Sequence, residues 1–422
     1  MTPLLLEKIV WSGANLGSYQ HASNALQELA GVKLTVKQVQ RITSQIGADD
    51  VRQRQAQVAA HPHRPLMERV AAPPQVTPPE LGVVMMDGGR FQRRDHFRPR
   101  QSATPPEAET PPPPDSPPPN SASATATAKT HWREDKVGIV LSMTSKVHDH
   151  DPTPEFPAWL AEARVVSELA QLAAREEQVT DQTTSAAGGS LSDEPACQWP
   201  DIAPELVSRE VIASGAEAES FGWHLDWKAW TMGVPAAVRQ AFVADGQAVN
   251  WTIHRRHFSQ MTGILDLMHA LSYAWQAGAA VDDPAAYRRY ATWIWQGRVA
   301  CVIAELRQHQ ERQGLPGSGP QTSDPREHIT RALTYYENHQ HLMDYPTYRQ
   351  QGLPLTSSHI ESTIKLISAR VKGTEKFWRQ DHGESLLQLR ADSLSDSEPL
   401  VEFWTHWRAG QSGSNCYRTA AV

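Results

Sequence analysis

Three acidic residues, far apart in the chain, stand where short apolar runs end or an amphipathic helix begins. Asp87 closes the run Leu81 to Met86 and is followed by Gly88 and Gly89. Asp245 repeats the arrangement after Ala241-Phe242-Val243-Ala244, with Gly246 behind it. Glu361 lies in the first turn of Ser358 to Ala369, where Ile360, Ile364 and Ile367 recur at the spacing of one helix face. Carboxylates brought close together repel unless a cation sits between them, and hard oxygen ligands suit Mg2+, with Mn2+ able to substitute. Two such ions about 4 Å apart can serve an in-line displacement at phosphorus, activating the attacking oxygen and stabilising the leaving one. Bridging carboxylates fix that separation, and no covalent protein nucleophile is needed.

Each acid also has a plainer reading. Asp-Gly is a common hairpin signal, so Asp87 could simply end a strand at a turn. Ser358-His359-Ile360-Glu361 has the spacing of a capping box, in which Glu361 would return to the backbone of its own helix. Asp266, in Asp266-Leu267-Met268-His269, is the alternative second acid; it reads equally as a helix N-cap with His269 partly buried nearby. His148-Asp149-His150-Asp151, His339 and His341 read as polar loop residues.

The net charge of −7, from 40 basic and 47 acidic residues, argues against a simple polyanion binder. Phosphate contacts need local basic surface rather than a basic total, and two segments supply it. Arg90, Arg93, Arg94, Arg98 and Arg100 follow Asp87, while Lys365, Arg370, Lys372, Lys376 and Arg379 follow Glu361. Of these, Arg90, Arg93, Arg94, Lys365, Arg370 and Lys372 are the candidate DNA contacts.

The elements that must position these groups form an α/β pattern. Five short apolar runs, Leu81 to Met86, Lys136 to Met143, Leu206 to Ala213, Ala241 to Ala244 and Gly263 to Leu265, read as strands. Trp223 to Arg239 reads as a helix between the third and fourth. Helical segments around Leu267 to Gln276, Pro284 to Gln313 and Asp324 to His341 follow the fifth, ahead of the Glu361 helix. Three strands, helix, two strands, then helices is the order of a ribonuclease-H-like mixed five-stranded sheet. Its first and fourth strands are neighbours, which would set Asp87 beside Asp245.

Residues 1–60 read as helical. Ser18 to Ala30 ends at Gly31, and Thr35 with Gln38 has capping-box spacing ahead of a helix that turns Lys37 and Arg41 outward. Two short helices joined by such a turn suit a helix-turn-helix that binds DNA. Residues 78–395 would form the catalytic domain, carrying a proline-rich insertion at 101–130, a loose loop at 180–200 and an all-helical insertion at 267–350. Residues 396–422 read as a tail. Nine of the fifteen residues at 105–119 are proline. Three scattered cysteines, Cys197, Cys301 and Cys416, suggest neither a disulfide framework nor a zinc knuckle, and fit a reducing cytoplasm. No stretch approaches the roughly 20 apolar residues of a membrane span, and the first residues are too short an apolar run for a secretory signal.

Taken in order, several blocks resemble the ISKra-type bacterial insertion-sequence transposases, a DDE family. They are Val83-Val84-Met85-Met86-Asp87-Gly88-Gly89-Arg90, Trp132-Arg133-Glu134-Asp135-Lys136-Val137-Gly138, Phe221-Gly222, Val243 to Trp251, and Ile264 to Ala270. The most specific is Ser357-Ser358-His359-Ile360-Glu361-Ser362 leading into Arg370-Val371-Lys372-Gly373-Thr374-Glu375-Lys376-Phe377-Trp378. The resemblance spans about 80 to 395. It implies that Asp87, Asp245 and Glu361 are catalytic metal ligands for two Mg2+ ions, with Asp266 and His269 as support. It further implies binding of terminal inverted repeats, DNA cleavage and strand transfer by a dimer or larger assembly on the bacterial nucleoid. The alternatives are a catalytically degenerate protein that binds DNA ends, or another ribonuclease-H-like nuclease such as a resolvase. The proline-rich insertion departs from the family, falling between two strands that usually connect directly.

Overall fold

A computed structural model describes residues 2–93, 132–180, 203–281, 283–317, 324–373 and 375–410. The proline-rich insertion with Arg94, Arg98 and Arg100, the 180–200 loop beyond Thr180 and the last part of the tail lie outside the described residues. All five expected strands form: β1 (Leu81–Arg93), β2 (Trp132–Thr144), β3 (Glu205–Ser214), β4 (Arg239–Ala244) and β5 (Thr262–Leu265). A two-residue β6 (Phe377–Trp378) pairs with the far end of β1, completing a six-stranded sheet with the path β3-β2-β1-β4-β5. The pairs β1–β2 and β2–β3 are antiparallel, while β1–β4 and β4–β5 are parallel. Val83, Val84 and Met85 on β1, and Phe242 and Val243 on β4, have no exposed surface. A strand covered on both faces reads as a continuous apolar run, as these do.

In the N-terminal region, α1 (Pro3–Asn15), α2 (Tyr19–Ala30) and α3 (Val36–Ala60) pack together, and a short α4 (Leu66–Arg69) follows. The expected start and stop signals operate. Ser18 caps α2, Gly31 ends it at φ 65°, and Thr35 and Gln38 form the reciprocal capping box of α3. The other helices are α5 (Ala163–Thr180), α6 (Ala218–Thr231), α7 (Ala248–His257), α8 (Leu267–Ala280), α9 (Ala286–Trp295), α10 (Val299–Gln313), α11 (Pro325–His339), α12 (Tyr345–Gln350), α13 (Ser358–Val371), α14 (Gln380–Ser393) and α15 (Pro399–Gly410).

Three segments read from the sequence differ in the structure. Pro284 to Gln313 is two helices broken at Gly297, whose φ of 69° disfavours other residues. The helix expected over Trp223 to Arg239 stops at Thr231, because Arg239 already belongs to β4. The expected tail contains α15, which packs on α14 and buries Phe403 and Trp404.

Helices cover both sides of the sheet. A Cβ on Gly138 of β2 would lie 2.8 Å from Leu225 and 3.2 Å from Phe221, so α6 presses on that face. On the other, α13 lies across β1 and β2 while α14 packs between β3 and α3. Among the described residues, no helix is long and apolar enough to cross a membrane.

Candidate metal centre

Asp87 lies inside β1, not at its end: the strand runs on through Gly88 and Gly89 to Arg93, in unbroken register with β2. The hairpin reading of Asp-Gly therefore fails. The glycines serve the pairing, since a Cβ on Gly89 would meet the Asp135 carboxylate of β2 at 2.7 Å. The last parallel pair between β1 and β4 is Met85–Val243, and two residues beyond it on each strand stand Asp87 and Asp245. Side chains two apart share a face. The register brings Asp87 near Asp245, one residue past the end of β4, and the charge of Asp245 acts on Asp87.

Asp245 is fixed from its own chain. Its Oδ1 accepts from the Gln247 backbone at 2.9 Å and from Asn250 Nδ2 at 2.7 Å, and its Oδ2 accepts from Gln247 Nε2 at 3.0 Å. Trp251 Nε1 donates to its carbonyl at 2.8 Å. The Asp87 carboxyl is pushed up to about 7, first by burial and next by the charge of Asp245, with Glu361 adding to the rise and His269 opposing it. Four groups from β1, β4, α8 and α13 therefore share one electrostatic neighbourhood. Three carboxylates and one imidazole are donor types that suit a divalent cation, and burial, ahead of the neighbouring charges, raises the Asp87 carboxyl.

Glu361 is not part of the expected capping box. The helix begins at Ser358 as expected, so Ser357 rather than Ser358 is its N-cap, and no side-chain capping bond forms there. The Ser357 hydroxyl donates instead to Asp266 Oδ2 at 2.6 Å.

That contact engages the alternative second acid. Asp266 has no exposed surface and caps α8, its Oδ1 accepting from the His269 backbone at 2.9 Å while Oδ2 takes the Ser357 N–H and hydroxyl. Burial drives its carboxyl up, but the bonds from His269 and Ser357 outweigh burial and hold it below the ordinary range. Ligand atoms of Asp266, His269 and Glu361 do lie within 4.8 Å of one another. Both oxygens of Asp266 are also engaged at the N-termini of α8 and α13.

The basic residues scatter. Arg90 and Lys365 are exposed, Arg93 is half-buried, and Lys37 and Arg41 are exposed on the first turns of α3. Lys37, Arg41 and Gln45 line a shallow cleft of about 420 Å3 with Asp381 and His382 of α14. Lys372, half-buried, lies near enough to Asp135 to lower its carboxyl. Arg370 is a correction. Its side chain is 2% exposed, donates to the Gly13 carbonyl at 3.0 and 2.8 Å and stacks on Tyr19 and Trp378. It ties the N-terminal helices to the core, which removes it from the candidate DNA contacts. His148 and Asp149 remain loop residues as expected, whereas Asp151 pairs with buried Arg349.

Buried Asp135 escaped the sequence reading; its only signal was its place in the Trp132 to Gly138 block. The chain matches no protein-family model and no curated protein.

Proposed function

We propose that the protein is a DDE-type DNA transposase built on a ribonuclease-H-like core. The observation that carries this reading is the placement of Asp87 and Asp245 two residues beyond the same parallel register pair, with Glu361 brought toward them by α13. The strand order and directions agree with that core, and the helices α8 to α11 stand where the all-helical insertion is expected.

Asp87, Asp245 and Glu361 would hold the divalent ions, which when bound supply positive charge to the attacking and leaving oxygens at phosphorus. The chain's own groups do the rest. Gln247 and Asn250 fix the Asp245 carboxylate, Asp266 locks the starts of α8 and α13, and pairing of β1 with β2 holds Asp87. Arg90 and Lys365 would contact backbone phosphates near the acids. Lys37 and Arg41 on α3, the second helix of a helix-turn-helix, would contact the element's terminal repeats. Two ends must be joined, so a dimer or larger assembly on DNA is part of the proposal.

The test is cleavage of a DNA fragment carrying the inverted repeats that flank the gene, with Mg2+ or Mn2+. Asp87→Ala and Glu361→Ala should each lose cleavage by roughly 10³-fold or more while still shifting end DNA on a gel. Full activity in either variant rejects the assignment. A wild-type protein that binds the ends and never nicks them supports the degenerate end-binding reading instead.

A further inference from the structure

Resting on that site, we propose that His269 gives it an imidazole nitrogen ligand beside Glu361, oriented from behind by Asp266, so that the site favours Mn2+ over Mg2+. The position of His269 follows from the topology. Strand β5 ends level with β4 in the parallel register Ala244–Leu265, and α8 starts directly after it. The first turn of α8 therefore stands at the same sheet edge as Asp245, and His269 projects from it with its side chain 16% exposed.

Three observations make this imidazole a ligand candidate. A nitrogen of the ring lies within 4.8 Å of a Glu361 oxygen. His269 is near enough to Asp87 to act on its charge. Its Nδ1 is 3.3 Å from Asp266 Oδ1, a carboxylate sealed in the core. Metal-binding histidines commonly present one ring nitrogen to the ion and the other to a carboxylate, which sets the tautomer and the ring plane. A carboxylate beside Nδ1 favours the tautomer in which Nε2 carries the lone pair.

The plainer role for Asp266 and His269 is a salt link within the first turn of α8. That role explains the Nδ1 contact but gives no reason for the ring to share the carboxylate cluster. Mg2+ gains little from a nitrogen donor, whereas first-row transition ions accept imidazole readily.

The experiment uses the full chain without DNA. Pulsed electron paramagnetic resonance on bound Mn2+ should show one nitrogen coupling, and His269→Ala should remove it. Titrations should show Mn2+ binding weakened about tenfold or more by His269→Ala, with Mg2+ changed by less than about threefold. Asparagine at the same position keeps the bulk and should give the same result if alanine disturbs folding. Bound Mn2+ without nitrogen coupling would overturn the proposal. So would a coupling that survives in both variants, for which His339, close enough to Asp245 to feel its charge, would be the source. In either case the carboxylate site stands. A wild-type chain that binds neither ion overturns this inference and the proposed function together.

Discussion

Inside β1, Asp87 feels the charges of Asp245 and Glu361; between helices α3 and α14, Asp50 feels that of Asp392. Both arrangements crowd carboxylates, and both raise a pKa. Burial, then the charge of Asp392 and a hydrogen bond to it, push Asp50 up to about 10 against the opposing pull of Arg54 and Lys228. Asp50 and Asp392 are each 6% exposed, and Gln388 Nε2 donates to Asp392 Oδ2 at 2.7 Å. Both carboxyls are sealed between two packed helices. The group at the end of β4 differs in two ways: Asp87 keeps part of its surface open, and the imidazole of His269 acts on its charge. A raised carboxyl reports crowding in either place. Convergence at an open site is what makes crowding useful to a cation.

The largest effect should separate the two regions by activity. Asp87→Asn should reduce metal-dependent cleavage of end DNA by roughly 10³-fold or more, while Asp50→Asn, outside that group, should leave the single-turnover rate within about threefold. Equal losses in both would mean that the N-terminal docking, not the acids, controls the reaction.

A second contrast is in pH. Asp50 is protonated in the fold and ionised in the unfolded chain across the window from about 4 to about 10. The folded state then binds more protons, so this group's contribution is fully favourable only at the acid end and is lost as pH rises through the window. Asp50→Asn should raise stability to urea on the order of 2–4 kcal/mol at pH 7, and the gain should vanish toward pH 4. A gain that does not vary with pH would mean that Asp50 is not protonated in the fold.

What the sequence made legible follows the same division. Local signals were readable: the β strands by their apolar runs, and α2 and α3 by Ser18, Gly31, Thr35 and Gln38. Residues whose roles depend on distant partners were not. The role of Ser357 was not legible because its acceptor, Asp266, is 91 residues away. Arg370 looked like surface charge because Tyr19 and Gly13 reach it from the opposite end of the chain. Asp50 follows Asp49 in a polar stretch and resembles a solvated face until α14 covers it. Helix α14 itself was missed because it buries Ser385, Gln388 and Asp392 along with its leucines, which blurs the periodicity.

Metal should distinguish the regions a third way. At about 100 times its dissociation constant, Mg2+ should stabilise the wild-type chain and Asp50→Asn by about 2.7 kcal/mol. Asp87→Asn should respond less, having lost a ligand while already being relieved of the repulsion that the ion neutralises. A full response in Asp87→Asn would place the ion elsewhere.

The smallest effect concerns an acid that falls between the two cases. Asp135 is 2% exposed and shares the face of β2 that meets Asp87 and Gly89, yet it is walled in by strand pairing. Burial pushes its carboxyl up to about 6, with Lys372 pulling the other way. Gly89 leaves it room, because a Cβ there would come to 2.7 Å from Oδ1 and 3.0 Å from Oδ2. Overpacking of this kind costs about 1–3 kcal/mol, so Gly89→Ala should destabilise the chain by that amount. Removing the opposing carboxylate should recover it: with Asp135→Ala in the background, Gly89→Ala should cost under about 0.5 kcal/mol, a coupling read from the double-mutant cycle. If the recovered protein also regains cleavage, Asp135 belongs with the packing that supports β1. If it folds but stays inactive, the acid belongs with the Asp87 group, and the boundary between the two kinds of buried carboxylate runs between Asp135 and the helices rather than between Asp135 and Asp87.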